Sequence, residues 1–336
     1  MINIAILGAG RWGNHFIRIF LNDPDVKLVA ICEQRQEQLI LIQDKYKINS
    51  SEIKLLKDYQ EIKKINNLDA VIITTPAIYH YDLIKDLLEH QYQILSEKPL
   101  TTNSFQAKEL TELANSKNLT LFVDHTYLFN PLIQRLKKEI TEEKIGSLKY
   151  GYASRTHADA IRKDVNVIWD LAIHDISIFN YVLGQKPTHV KAEGQNFLSH
   201  DLIDMAWLKL FYPSGFVATI HVSWLNADKQ RRLTMVGEKG SFVFDEMMPQ
   251  SPLTLYQANI NQNSSPMSVD GYNTEKIDFA SFNTLQIMGD RFLSAIKTNK
   301  QEKISTGEFA TELIQILEAL DLSLQSNNSM VTVNYK

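Results

Sequence analysis

Ile2-Asn3-Ile4-Ala5-Ile6-Leu7-Gly8-Ala9-Gly10-Arg11-Trp12-Gly13 opens the chain with a run of buried-strand composition that passes into a G-x-G-x-x-G turn. Phe16, Ile17 and Phe20 then recur on one side of a helix. The first glycine of such a turn permits the sharp reversal, the second lets the backbone approach a pyrophosphate, and the third lets helix and strand pack closely. The helix N-terminus then faces the anion. A bare glycine turn is the plainer reading, but the strand before and the helix after favour dinucleotide binding, with Gly8, Gly10, Arg11, Trp12 and Gly13 at the cofactor.

Outward from this turn, residues 27–32 form the next strand and end at Glu33, 20 residues beyond the third glycine. An acid there accepts hydrogen bonds from an adenosine ribose and repels a 2'-phosphate, which favours NAD over NADP. Arg35 pulls the other way, since a guanidinium two residues on suits such a phosphate, and Glu33 would also suit the positive end of the helix expected over residues 34–46. Residues 53–56 read as a short strand, 58–65 as a short helix, and 70–74 as a β-branched strand running into Thr74-Thr75-Pro76. Thr75, Pro76 and His80 thus fall at a strand's carboxyl edge, where open α/β sheets bind ligands, although a histidine so placed is more often a helix-surface residue than a ligand. Residues 92–96 form the fifth strand and break at Glu97-Lys98-Pro99, placing a charged pair at the same edge. A helix over 103–117 and a strand over 119–123 complete an alternation that predicts parallel pairing with right-handed crossovers.

With 336 residues the chain is long for one core, and the pattern divides it into 1–124, a doubly wound domain, and 125–336. Lysine and arginine number 35 against 39 acids, a formal charge of −4, with no basic run to hold a phosphate backbone, so nucleic acid is not an expected partner. The single cysteine, Cys32, precludes an intrachain disulfide, and no Cys/His spacing resembles a metal site. The leading apolar run is too short for a signal segment and no stretch approaches a membrane span, so a cytoplasmic setting is expected.

The second domain begins with Asn130-Pro131, an N-cap followed by proline at N1, and Leu132, Ile133, Leu136 and Ile140 give that helix one apolar face. Residues 148–156, 189–197, 204–212, 216–225, 232–236 and 241–245 are successive strands whose short connections imply antiparallel neighbours. Residues 259–271 read as a polar surface loop, and helices near 282–298 and 306–324 follow. The expected class is therefore α/β, a doubly wound, mostly parallel sheet followed by an α+β domain with a large, predominantly antiparallel open sheet.

Trp169-Asp170-Leu171-Ala172-Ile173-His174 opens a helix ended by Gly184. At i and i+4 a carboxylate and an imidazole share one face, so Asp170 can orient the His174 ring and stabilise its protonated form, as a general base requires. The structural alternatives are an N-cap role for Asp170 and a hydrogen-bonded core histidine. Arg155, Arg162 and Asn166 lie close in sequence to this pair, and two arginines suit a carboxylate or diphosphate, or are exposed loop cations.

Together, Gly8–Gly13, Glu33, Pro76 with His80, Glu97-Lys98-Pro99, Asp170-x-x-x-His174 and Val236-Gly237-Glu238-Lys239-Gly240-Ser241 resemble the glucose-fructose oxidoreductase / inositol dehydrogenase / MocA (Gfo/Idh/MocA) family over nearly the whole chain. The resemblance implies an N-terminal Rossmann domain, NAD or NADP as cofactor with Glu97 and Lys98 beside it, and a polyol, sugar or nucleotide-sugar substrate. It implies assembly into dimers or tetramers through the open sheet. It also implies Lys98, Asp170 and His174 as a catalytic group that meets across the two domains. Many relatives carry an arginine just after the sixth strand, where this chain has Asp124-His125-Thr126-Tyr127-Leu128-Phe129 and none, and His125 and Tyr127 are either lining residues of the substrate site or ordinary packing. Two other activities occur among such relatives: glycoside cleavage through transient oxidation by tightly held NAD, and non-catalytic dinucleotide sensing.

Overall fold

A computed structural model describes residues 1–158, 161–198, 202–261, 268–300 and 302–335, without the side chains of 259–261. The chain divides into two compact units, one of Met1–Asp124 with Leu285–Ile314, the other of His125–Thr284 with Gln315–Lys336. The continuous partition at 124/125 expected from the sequence thus differs in its second part, because Leu285–Ile314 packs with the first sheet.

In the first unit, β1 (Ile2–Leu7), β2 (Val26–Cys32), β3 (Lys54–Leu56), β4 (Ala70–Ile73), β5 (Gln93–Ser96) and β6 (Leu121–Val123) form a sheet in the order β3-β2-β1-β4-β5-β6. Every adjacent pair is parallel. The order reverses between β1 and β4, the switch point at which such sheets open a crevice at their carboxyl ends. Strands in this setting are covered on both faces, which is why β4 is buried at all four positions and β1 reads as an apolar run without alternation. The helices α1 (Arg11–Leu21), α2 (Gln36–Tyr46), α3 (His80–Glu89) and α4 (Ser104–Ser116) alternate with the strands. Asn103 caps α4 by accepting from the Gln106 N–H at 3.1 Å. The helix α7 (Thr284–Thr298) lays Gly289 against Phe20 and Phe292 edge-on to Phe122, and the Val123 N–H donates to Ser305 O at 2.8 Å.

The second unit is built on nine strands: β7 (Leu148–Thr156), β8 (His189–Gln195), β9 (Met205–Phe211), β10 (Val217–Ser223), β11 (Gln230–Gly237), β12 (Gly240–Asp245), β13 (Leu253–Asn261), β14 (Ser268–Lys276) and β15 (Val331–Thr332). They run β14-β13-β12-β11-β7-β10-β9-β8-β15, antiparallel throughout except for β7 with β10. Three of these strands were not expected. The loop expected over 259–271 is the end of a hairpin whose strands pair as far as Asn261 with Ser268, while 262–267 lie outside the described residues. Every residue of β14 is exposed, so no buried face imposed an alternation that could be read from sequence.

One face of this sheet is covered by α6 (Ile173–Leu183) and by α8 (Gly307–Gln325). Gly151 of β7 lies so close to Phe179 that a Cβ there would stand 2.7 Å from its ring. Ser323 Oγ accepts from the Ala192 N–H at 2.9 Å. The other face carries Tyr150, Tyr152, Trp207 and Tyr256 exposed, with Trp207 stacked on His221 at 4.0 Å. Asn130 caps α5 (Pro131–Thr141) with its Oδ1 2.9 Å from the Leu132 nitrogen, and Gly184 ends α6 at φ 62°.

Candidate functional site

At the carboxyl edge of the first sheet, the glycine turn is held by its own backbone and by Thr74. Gly8 sits at φ 91°, and a Cβ on Gly13 would collide with the Gly8 carbonyl, so neither position tolerates a side chain. The Thr74 hydroxyl donates at this junction, 3.0 Å from Leu7 O and 2.8 Å from Gly8 O. Thr74 escaped the sequence reading because a strand-end threonine carries no signal beyond β-propensity. A Cβ on Gly10, by contrast, would meet nothing within 4 Å, and α1 starts there without a side-chain cap. Thr75 Oγ1 is buried with no hydrogen-bond partner. An uncapped helix start, an open backbone approach and an unused buried hydroxyl fit a pyrophosphate-bearing cofactor. Arg11 and Trp12 are exposed at the head of α1.

Glu33 is engaged within the turn itself: its Oε2 accepts from the Ala9 N–H at 3.1 Å, and Arg35 pairs with both oxygens at 3.0 and 3.1 Å. Burial works to raise its pKa, but the bonds from Arg35 and the Ala9 N–H outweigh burial and keep the carboxyl below its ordinary value. Arg35 is therefore joined to Glu33 rather than opposed to it. Cys32, next to it, is buried and its thiol is pushed up to about 12, chiefly by desolvation, so it is no nucleophile at neutral pH.

His80 is buried, contrary to a helix-surface role. Its Nε2 lies 2.8 Å from Thr75 O and its Nδ1 3.0 Å from Pro99 O, so the ring ties the β4 loop to the turn after β5. The Lys98–Pro99 bond in that turn is cis. Glu97 and Lys98 are both buried, and the Lys98 N–H donates to Glu97 Oε2 at 3.2 Å. Burial, and then the neighbouring carboxylate of Asp124, push Glu97 well above the carboxylate range, with Lys98 opposing. Asp124 is itself buried at the end of β6, and two carboxyls this close share a proton more readily than they both ionise.

In the second unit the chain from Val167 to Asn180 is buried at every position except Asp170 and His174. It does not begin as a regular helix: Ile168–Ala172 form a π-turn before α6, a widening that often marks functional positions. Asn166 makes the N-terminal cap, its Oδ1 accepting from the Ile168 and Trp169 N–H groups at 3.0 and 3.2 Å, while its amide donates to Asp321 at 3.0 Å. Capping thus belongs to Asn166 and not to Asp170. Asp170 Oδ2 accepts from the Trp224 indole N–H at 3.1 Å, and its Oδ1 lies 3.5 Å from Arg162 Nη1.

The two arginines expected to meet an acidic substrate are matched inside the protein. Arg155 is 3 % exposed, and its Nε and Nη2 donate to Asp175 at 2.8 and 2.9 Å in a bidentate pair. Burial opposes its charge, yet Asp175 and Tyr127 hold it above its ordinary value. Asp175 is the buried counter-ion. Arg162 forks onto Asp164 through Nε at 2.9 Å and through Nη2, and burial is again outweighed by Asp164 and Asp170.

Tyr127 links these groups to His174. Its ring meets the imidazole edge-on at 5.2 Å, its hydroxyl donates to Glu246 at 2.6 Å and accepts from Arg155 Nη1 at 2.8 Å, and Arg155 stacks over its face at 4.5 Å. Burial, and then the charge of Glu246, raise its pKa against the pull of Arg155, so it stays a neutral donor. Glu246, which no local motif announces, is held below its ordinary value because Arg231 and Tyr127 outweigh its desolvation. His125 is buried directly before the single turn Thr126–Phe129. Among the described residues no cluster of three His, Cys, Asp or Glu side chains could hold a metal ion, and no helix is long and apolar enough to cross a membrane.

A family model described as "Oxidoreductase family, NAD-binding Rossmann fold" matches residues 2–125, and one described as "GFO/IDH/MocA C-terminal domain" matches residues 133–243. The myo-inositol 2-dehydrogenase of Thermotoga maritima is 24 % identical over 73 % of this chain and 76 % of its own length. The UDP-N-acetylglucosamine 3-dehydrogenase of Acidithiobacillus ferrooxidans is 26 % identical over 69 % of this chain and 72 % of its own. A solved structure of the latter enzyme superposes with a TM-score of 0.82 at 20 % identity, covering 98 % of this chain and 99 % of that one. A levoglucosan dehydrogenase solved with NADH gives 0.82 at 16 % identity over 99 % of both chains. At these identities the structures speak for the fold.

Proposed function

The chain belongs to the Gfo/Idh/MocA family of oxidoreductases, and we propose that it transfers hydride between NAD and a secondary alcohol of a sugar, polyol or nucleotide-linked sugar, with Lys98, Asp170 and His174 as the catalytic group. The observation that carries the catalytic part is the placement of Asp170 and His174. A segment that is otherwise buried from Val167 to Asn180 leaves one acid and one imidazole half-buried, and partly desolvated titratable groups set in an apolar segment are candidates for chemistry.

In this reading His174 takes the hydroxyl proton on an imidazole nitrogen, and Asp170 steadies the ring and its positive charge. The Lys98 ammonium hydrogen-bonds the same oxygen and stabilises its growing negative charge. When bound, the nicotinamide ring supplies the hydride acceptor, and a ketone is the product. Glu33 receives the adenosine ribose, exchanging its bond to the Ala9 N–H for ribose hydroxyls, which favours NAD. A nucleotide-linked substrate draws its support from the Acidithiobacillus relative alone, since Arg155 and Arg162 are already matched by carboxylates. The open aromatic face of the second sheet suits a second copy of this chain.

The test is NAD reduction by purified protein across a panel of polyols, aldoses and UDP-sugars. An active substrate should lose about 10²- to 10⁴-fold in kcat on His174→Ala, with a loss also on Lys98→Ala. Turnover unchanged by both substitutions would refute the assignment.

A further inference from the structure

We propose that Arg162 is a positioning residue that sets the basicity of His174 through Asp170, and is not a ligand of the substrate. The inference rests on reading Asp170 and His174 as a working pair. Its ground is the way the Asp170 carboxylate is held: Oδ2 receives the neutral indole N–H of Trp224 at 3.1 Å, while Oδ1 faces the Arg162 guanidinium at 3.5 Å. Trp224 is buried, and its backbone N–H donates to Asp204 O at 3.0 Å, so the indole is a fixed donor. Arg162 is fixed in turn by its fork onto Asp164. The carboxylate is therefore aimed by two anchored groups, one of which carries a full positive charge.

A carboxylate alone beside an imidazole raises its pKa and holds it protonated, which would leave little base at neutral pH. A guanidinium facing the same carboxylate cancels part of that field, and Asp164 limits how much. Among the described residues of this unit, Tyr127 meets the His174 ring, and the charges beside that tyrosine are paired: Arg155 with Asp175, and Arg231 with Glu246 at 3.1 Å. Asp321, on α8, faces Asn166 and Trp169. Asp164, Arg162 and Asp170 thus form an alternating series of acid, base and acid, and Arg162 is its pivot. Arginine suits the role because its planar fork pairs with Asp164 along one edge and leaves a further N–H group for Asp170.

The experiment titrates the His174 ring by NMR in the full-length protein, with His174→Gln to assign its signal, and in parallel records the pH profile of kcat/KM. Arg162→Gln should raise the His174 pKa by about one unit, the scale on which a nearby charge acts. Asp164→Asn should lower it, and Arg162→Lys, which keeps the charge, should leave it near the wild-type value. The acid limb of the pH profile should move in the same directions. An unchanged or lowered His174 pKa in Arg162→Gln overturns the proposal, as does a rise in KM at every pH with no change in the profile, which would mark Arg162 as a substrate contact. Should Arg162→Gln fail to fold, the downward shift in Asp164→Asn decides alone. Because the ring titrates whether or not any alcohol is oxidised, a protein inactive on every substrate with the expected shifts would discard the enzymatic reading and keep the coupling.

Discussion

The two units bury charge by opposite means. At the edge of the first sheet, Glu97 and Asp124 bring two carboxyls together out of water, and Glu97 answers by holding its proton. In the second unit Arg155, Asp175, Tyr127, Glu246 and Arg231 are joined acid to base and donor to acceptor. The first arrangement changes its charge with pH and the second resists change, because a paired ion loses more by neutralisation than an unpaired one.

Breaking the matched cluster should have the largest effect. Asp175→Ala leaves the Arg155 guanidinium buried with Tyr127 and without its counter-ion, and stability should fall by about 3–5 kcal/mol, read as a lower urea midpoint. A loss under 1 kcal/mol would mean that water reaches Arg155 and the cluster is not closed.

Tyr127→Phe is the milder cut. It removes the donor to Glu246 and the acceptor for Arg155 while keeping the ring against His174, so about 1–3 kcal/mol should go. It should also change the pH dependence, because Glu246 is held low partly by this tyrosine. A carboxyl depressed in the folded state gives stability that is present above its unfolded value of 4.5 and is lost as pH falls through the folded value. The variant should therefore lose part of that acid-side dependence in melting curves taken between pH 3 and pH 6; an unaltered curve would separate Glu246 from the cluster.

The smallest effect sharpens the contrast from the other side. Glu97 is raised in the folded state, so its contribution is complete below the unfolded value of 4.5 and declines as pH rises through the folded one. Glu97→Gln removes that decline. Its melting temperature should match the wild type near pH 4 and exceed it at pH 8, by about 2–4 °C for each kcal/mol relieved. Equal melting temperatures at both pH values would mean that Glu97 ionises freely and that Asp124 exerts no hold on it.

Much of the first unit was legible because its signals are local. Ile2–Leu7, the glycine turn and the apolar side of α1 lie within one short stretch, and Asn130-Pro131 and Gly184 act on their own helix ends. The second unit was legible where a face is buried and opaque where none is: β7 alternates, whereas the exposed β14 reads as loop. The site residues divide in the same way. A spacing of four put Asp170 and His174 together as a pair, but not the π-turn beneath them.

By itself the sequence determined the order of elements, the cofactor turn, the break at Glu97-Lys98-Pro99 and the acid–imidazole spacing, because periodicity, glycine and proline act over a few residues. Tertiary structure alone decided that Arg155 and Arg162 answer to Asp175 and Asp164, that His80 is an internal brace, that Thr74 holds the glycine turn and that Glu246 pairs with Tyr127. A charge has no preferred partner along the chain. Its partner is whichever opposite charge the fold buries beside it, because only there does desolvation make the pairing obligatory.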